Sequence, residues 1–258
     1  MKTKLYLTVA ICCGALFNAM AQMPGGASPA GTSAGFAKLF NDFGGFSARA
    51  EIQELDNTQH ETAFVPMDFT LLDNKIRFGI ELTQVRSQSV SEKEVAQVKQ
   101  MGMSHIITIL RPDLQLIHVI YPDQKCVCSI AMSKEDAETA MKPSKTQRTP
   151  IGNETIDGHA CVKNKVVVSN DQGQMLDAIT WEATDLKNFP IQIQTKDNGK
   201  VTVVRYKQIR LEKPAASQFE PPKEYAQFKD MMELMKSLMK KGAATPEANP
   251  QPATPVGK

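Results

Sequence analysis

The sequence predicts an α+β domain built on one large, curved antiparallel sheet, with helices covering its concave face. Three observations carry this reading. Strand-length runs of alternating apolar and polar residues recur from Met67 to Leu211. Turn signals such as Asp73-Asn74, Pro122-Asp123-Gln124-Lys125 and Asp197-Asn198-Gly199 separate them. Only three stretches carry a helical period, so nine or ten strands dominate, and a sheet of that size needs a cover over its apolar face.

In chain order, Met67, Phe69 and Leu71 alternate with Asp68 and Thr70, and Ile76, Phe78, Ile80 and Leu82 with Arg77, Gly79 and Glu81. This is a hairpin with one buried face. Strands follow over Ser104 to Arg111, Leu114 to Tyr121 and Cys126 to Met132, and then over His159 to Val168, Asp177 to Ala183, Ile191 to Thr195 and Val201 to Leu211. The first helix spans Ser91 to Met101, where Ser91 and Glu94 form a capping box. The second is short, Ser133 to Met141. The third is expected over Glu224 to Lys241, because Phe228, Met231, Met232, Met235, Leu238 and Met239 recur at three- and four-residue steps opposite Lys229, Glu233, Lys236 and Lys240.

The chain ends set the compartment. Lys2 and Lys4 precede an apolar run of 13 residues, Leu5 to Phe17, followed by Ala19-Met20-Ala21, the pattern of a secretory signal peptide cleaved between Ala21 and Gln22. The run falls short of the roughly 18 residues of a spanning helix, and no later segment approaches that length. Cys12 and Cys13 lie inside it behind Ile11, which disfavours a lipidated N-terminal cysteine. The expected organisation is a signal peptide over 1–21, a flexible leader over 22–35, a single domain over 36–241 and a disordered Pro- and Ala-rich tail over 242–258. A periplasmic or secreted protein follows.

Composition narrows the function classes. Thirty Lys plus Arg face 28 Asp plus Glu, and loss of Lys2 and Lys4 with the signal peptide leaves 28 of each. A neutral chain without a basic stripe lacks the electrostatic footprint of a nucleic-acid binder. No nucleophile elbow, phosphate-binding glycine loop, His-Glu-x-x-His or EF-hand pattern is present, so no enzyme activity and no cofactor are expected.

The segment from Ser104 to Tyr225 resembles a family of exported bacterial domains of unknown function whose fold is similar to that of the periplasmic lipoprotein carriers of the LolA and LppX type. Gly152 and the run Glu154-Thr155-Ile156-Asp157-Gly158-His159-Ala160-Cys161-Val162-Lys163 carry the likeness, with Trp181-Glu182-Ala183-Thr184-Asp185-Leu186, Phe189-Pro190 and Phe219-Glu220-Pro221-Pro222. It covers about half of the mature chain; residues 36–103 match only in strand rhythm. The resemblance implies an open half-barrel lined by apolar side chains and plugged by helices. It also implies apolar cargo, a lipid or lipoprotein segment, and transfers no catalytic residue.

Two groups of residues bear on function. In an exported chain Cys126, Cys128 and Cys161 meet an oxidising environment, and Cys161 is expected to bridge to Cys126 or Cys128, which share one face of a strand. A metal or redox site of Cys126, Cys128, His159 and Cys161 has the ligand count of a tetrahedral centre but is disfavoured, because strand spacing does not converge the four on a point. The second group is the Met-rich helix. Its Met231, Met232, Met235 and Met239 are expected to face the concave side near Phe69, Phe78 and Trp181, either as plain core or as an adaptable lid over a greasy ligand. The competing reading is a structural or interaction module of the envelope that buries its own helices and holds no ligand.

Overall fold

The computed structural model describes residues 36–171, 173–197 and 199–243. The expected signal peptide, the leader and all but the first two residues of the expected tail lie outside the described residues. From the N-terminal side the chain forms β1 (Gly45–Leu55), β2 (Glu61–Leu72), β3 (Lys75–Glu81), the two-residue β4 (Arg86–Ser87) and α1 (Glu92–Gln100). A meander follows: β5 (His105–Arg111), β6 (Leu116–Tyr121) and β7 (Cys126–Ala131), then α2 (Lys134–Met141). Four long strands come next, β8 (Lys145–Ile156), β9 (His159–Asn170), β10 (Gly173–Ala183) and β11 (Phe189–Asp197) with β12 (Lys200–Arg210), before β13 (Ala226–Phe228) and α3 (Met231–Ala243).

These strands make one open sheet in the order β13-β7-β6-β5-β3-β2-β1-β12-β11-β10-β9-β8, with β4 beside β2. Every neighbouring pair on that path is antiparallel except β13 and β7. The fold is the expected curved half-barrel with few helices. Its centre is β1, which joins the early meander to the later one by pairing with both β2 and β12.

Register explains the core. Ala48 lies opposite Phe69, and Phe69 opposite Phe78; Ala50 is flanked by Met67 and Tyr206; Ile52 is flanked by Val65 and Val204, and Val204 by Ile193. Because alternate residues share a face, these pairs form a continuous apolar ribbon across the inner side. The outer face of β1, β2 and β12 is charged, with ion pairs Arg49–Asp68 at 3.1 Å and Lys207–Glu51 at 2.8 Å crossing strand boundaries, and Lys165–Asp177 at 3.7 Å does the same between β9 and β10.

The sheet has a second apolar patch on the outer face, formed by Leu72, Ile109, Ile120 and Val127. Its cover is the chain after β12, which lays the fully buried Phe219 on it. Arg111, 7% exposed, fastens that wrap: Nε and Nη2 form a two-pronged contact with the Asp113 carboxylate at 2.9 and 2.8 Å, while Nη1 donates to the Phe219 carbonyl at 3.2 Å and to Glu220. The Asp113 contact holds the guanidinium pKa above its ordinary value and holds Asp113 below its own. Nearby, buried His118 shares a 2.9 Å hydrogen bond with the Ser129 hydroxyl, and burial followed by the Arg111 charge pushes its imidazole pKa down.

Three elements differ from the sequence reading. Residues 224–241 are not one helix, because Ala226 to Phe228 pair in parallel with Cys126 to Cys128. The helix starts at Met231 behind Asp230, whose carboxylate accepts from the Glu233 N–H at 2.8 Å while Glu233 accepts from the Lys229 N–H at 3.0 Å. Strand β8 carries no apolar alternation because eleven of its twelve residues lie on the surface or partly exposed, and it is held by its ladder to β9. The β8–β9 turn is fixed by Asp157 and Gly158 at φ 49° and 87°, as a two-residue hairpin with two positive φ angles requires. Strand β1 alternates as Phe46, Ala48, Ala50 and Ile52, a pattern blunted by its small alanines.

Replacing Arg111 with Ala leaves the wrap unfastened beside two carboxylates, and urea denaturation should show a loss of about 2–4 kcal/mol. His118 gives a separate pH effect. Its folded pKa lies below the unfolded value of about 6.5, so the unfolded chain binds the proton more readily and stability falls as pH drops through that value. The urea midpoint should decline between pH 7.5 and 5.5, and His118→Gln should reduce the decline.

Candidate functional site

The inner face is closed by the chain just before β1. Residues 36–38 are helical, and the turn continues through i→i+3 bonds from Leu39 to Phe36, Phe40 to Ala37 and Phe43 to Phe40. Five consecutive residues, Phe36 to Phe40, are buried, including Lys38, which an isolated turn on a protein surface could not achieve. The segment lies inside the curve of the sheet.

Phe40 is the centre of its packing. Its ring lies 4.7 Å from Phe46, 5.4 Å from Phe189 and 5.4 Å edge-on from Tyr206, and Phe46 in turn stacks on Phe69 at 5.6 Å. The Tyr206 phenol pKa is raised by burial in this cluster. Beside it lies a cavity of about 40 Å³, lined by Phe36 and Ala37 of the segment, Ala50 and Ile52 of β1, Met67 and Phe69 of β2, Ile76 and Phe78 of β3, and Val204 and Tyr206 of β12. The lining is almost wholly apolar.

Two cations tie the segment at its sides. Lys38 donates from Nζ to the Ala140 carbonyl at the end of α2 at 2.6 Å and to Asn74 Oδ1 at 3.4 Å, and burial lowers its pKa. Arg148 of β8 donates from Nη2 to the Leu39 carbonyl and to Asp42 Oδ2, both at 3.4 Å, and from Nε to Glu182 Oε1 at 3.1 Å. The Thr180 hydroxyl donates to the same Glu182 oxygen at 3.0 Å.

Of the residues singled out from the sequence, Phe69 and Phe78 line the cavity and the others do not. Trp181 lies opposite Gln192, which accepts from Arg205 on the outer face; its Nε1 donates to Glu154 at 2.7 Å and Lys163 sits 4.7 Å above its ring. Helix α3 packs on β7 and β13 near the end of the sheet path. Its buried anchor is Leu234, Met231 receives the Tyr121 hydroxyl at 3.8 Å, Met235 is half-buried and Met232 is 67% exposed. Met239 lies outside the described side chains. Phe36, Ala37, Phe40 and Tyr206 were missed; the signal available was the Phe36-x-x-x-Phe40 spacing in a short apolar stretch between leader and β1.

The cysteine expectations are corrected. No bridge joins Cys161 to Cys126 or Cys128, because β7 and β9 are far apart in the strand order, and Cα atoms more than about 7 Å apart cannot be bridged. The set Cys126, Cys128, His159 and Cys161 is likewise not assembled; His159 instead contacts Asp185 at 2.7 Å. Among the described residues no group of three or more His, Cys, Asp and Glu side chains is placed to hold a metal ion. Among them, too, no helix is long and apolar enough to cross a membrane.

No family model matches the sequence, and comparison with curated proteins returns no match. Among solved structures the chain is similar to a LolA superfamily protein from Nitrosomonas europaea, at 12% identity and a TM-score of 0.35 over 71% of this chain and 97% of that one. It is similar to the lipoprotein LppX of Mycobacterium tuberculosis, at 11% identity and 0.38 over 71% and 96%. It is also similar to LprF of Mycobacterium bovis, at 12% identity and 0.37 over 77% and 99%. These likenesses are of overall fold and are loose.

The thiols give a direct check. Burial pushes the Cys128 pKa up to about 11 from 9.0 and raises that of Cys161, which lowers the thiolate fraction of Cys128 about a hundredfold. Iodoacetamide at pH 8 should label both slowly in the folded protein. After denaturation without reductant, mass analysis should show alkylation at Cys126, Cys128 and Cys161; a missing pair would reveal a bridge.

Proposed function

We propose that the protein is an exported, non-enzymatic carrier that holds a lipid, an acyl chain or a lipoprotein segment against the inner face of the sheet, on the surface that the segment Phe36 to Phe43 covers in the closed form. The observation that carries this reading is the apolar cavity whose roof is the short segment preceding β1 rather than a strand or a long helix. A single-chain ligand and this segment would compete for the same surface.

Volume makes the competition explicit. A space of about 40 Å³ has room for about three waters, well under the roughly 300–1,000 Å³ of an ordinary ligand pocket. Uptake therefore requires Phe36, Leu39 and Phe40 to leave. Their burial contributes on the order of 5–9 kcal/mol, while a ten-carbon chain taken from water contributes about 8 kcal/mol. The exchange is close to balanced, which is what reversible loading needs. The module reading has its own support in the complete burial of Phe40.

Phe36→Ala separates the two. It weakens the closed form while keeping the Phe40 cluster, so a carrier should bind the neutral fluorescent probe N-phenyl-1-naphthylamine about tenfold more tightly or better. The parent purified from its own envelope without detergent should also carry a lipid by native mass spectrometry. Unchanged probe binding together with a bare mass would leave the module reading standing.

A further inference from the structure

We propose that the groove selects an anionic amphiphile, a single acyl chain ending in a carboxylate or phosphate, and that Arg148 receives the anionic end; this rests on the carrier reading above. The segment before β1 already occupies the site as such a ligand would. Phe36, Leu39 and Phe40 fill the apolar part, and the same stretch of chain then presents a carbonyl, from Leu39, and a carboxylate, from Asp42, to Arg148 Nη2 at 3.4 Å each. An apolar body followed by an oxyanion is the arrangement of a fatty acid or an alkyl phosphate.

The position of Arg148 suits an entering headgroup. It belongs to β8, the last strand of the open sheet, and its side chain is 32% exposed, so the cation stands at the rim and is reached without carrying charge across the lining. Glu182 does not cancel the site. It takes the Nε edge and is braced by Thr180, while the Nη2 donors seat the Asp42 carboxylate with Glu182 in place. A guanidinium presents donors on more than one edge and can hold two oxyanions at once. The Asp42 side chain is 73% exposed, so solvent screens its contact and an incoming anion can replace it.

Once the segment leaves, a neutral chain end offers Arg148 no replacement for these acceptors. An anion whose tail lies in the groove is held beside the guanidinium at high effective concentration. Lys38 does not share this role. It is part of the segment, its Nζ is turned to Ala140 and Asn74, and it departs when the segment does.

The test is displacement of N-phenyl-1-naphthylamine from the full chain by dodecanoate, dodecyl phosphate and dodecanol, each below its micellar concentration. At least one anion should compete about tenfold better than the alcohol. The order of dodecanoate and dodecyl phosphate distinguishes a carboxylate from a phosphate headgroup. Arg148 and Asp42 also tie the closed segment, so the readout is the ratio of anion to alcohol rather than either affinity: Arg148→Gln should bring the three within about twofold of one another, and Asp42→Asn, at an exposed position, should raise the preference for the anions over the alcohol a few-fold. Equal competition in the parent, or a preference that survives Arg148→Gln, overturns the headgroup assignment alone. If none of the three binds, the carrier reading falls and this inference with it.

Discussion

An open sheet of twelve strands in series has an inner face that must be taken out of water by something other than a second sheet, and in this protein the Phe40 ring is the wedge that does it. Phe40 touches Phe46 of β1, Phe189 at the start of β11 and Tyr206 of β12, so one side chain from a short turn ties strands from both halves of the sheet. The register around β1 exists to present that surface. Small Ala48 and Ala50 sit between Phe69, Met67 and Tyr206, leaving the depth in which the segment lies.

The outer face meets the same requirement in two different ways. Where β1, β2, β12, β9 and β10 face solvent, ion pairs and long polar side chains suffice. Where β5, β6 and β7 are apolar on both faces, the chain after β12 returns as a strap, with Phe219 as its apolar foot and Arg111 as its fastening. The buried guanidinium is tolerable there because Asp113, Glu220 and a carbonyl satisfy its donors together; with fewer partners its desolvation would outweigh the attraction. The two ends of the sheet are also treated differently. The short β13 is overlaid by α3, whereas β8 leaves a long exposed rim carrying Arg148.

On the carrier reading, function and stability press on the same few residues. A segment buried by Phe36, Leu39 and Phe40 closes the core well enough to leave only about 40 Å³, yet it is short and is tied at its sides by Lys38 and Arg148 rather than by a sheet ladder. On the carrier reading, such a cover is stable as a closed form and separable without unravelling strands, because no backbone pairing has to be broken within the sheet.

Much of this was legible in the sequence. Alternation over Met67 to Leu82 and from Ser104 to Tyr121 identified the strands because one buried face imposes period two, and Ser91 with Glu94 marked the start of α1 because a capping box is a local interaction. Phe69 and Phe78 were assigned to the groove on the same ground. What the tertiary structure alone decided was which strands become neighbours and which segment covers them. Local period is blind to β7 and β9 lying far apart in the order, so it joined Cys161 to cysteines it never meets. It placed the Met-rich helix on the inner face, where Leu234 and Met231 do pack with Tyr121, but it could not tell which strands lie beneath it: α3 sits at the β7 end, away from Phe69 and Phe78, while the few residues around Phe40 take the groove. Phe36 to Phe40 are too few for a periodic signal, and their burial is created by the curvature of a sheet that brings Phe36 to the same cavity as Tyr206, 170 residues away in sequence.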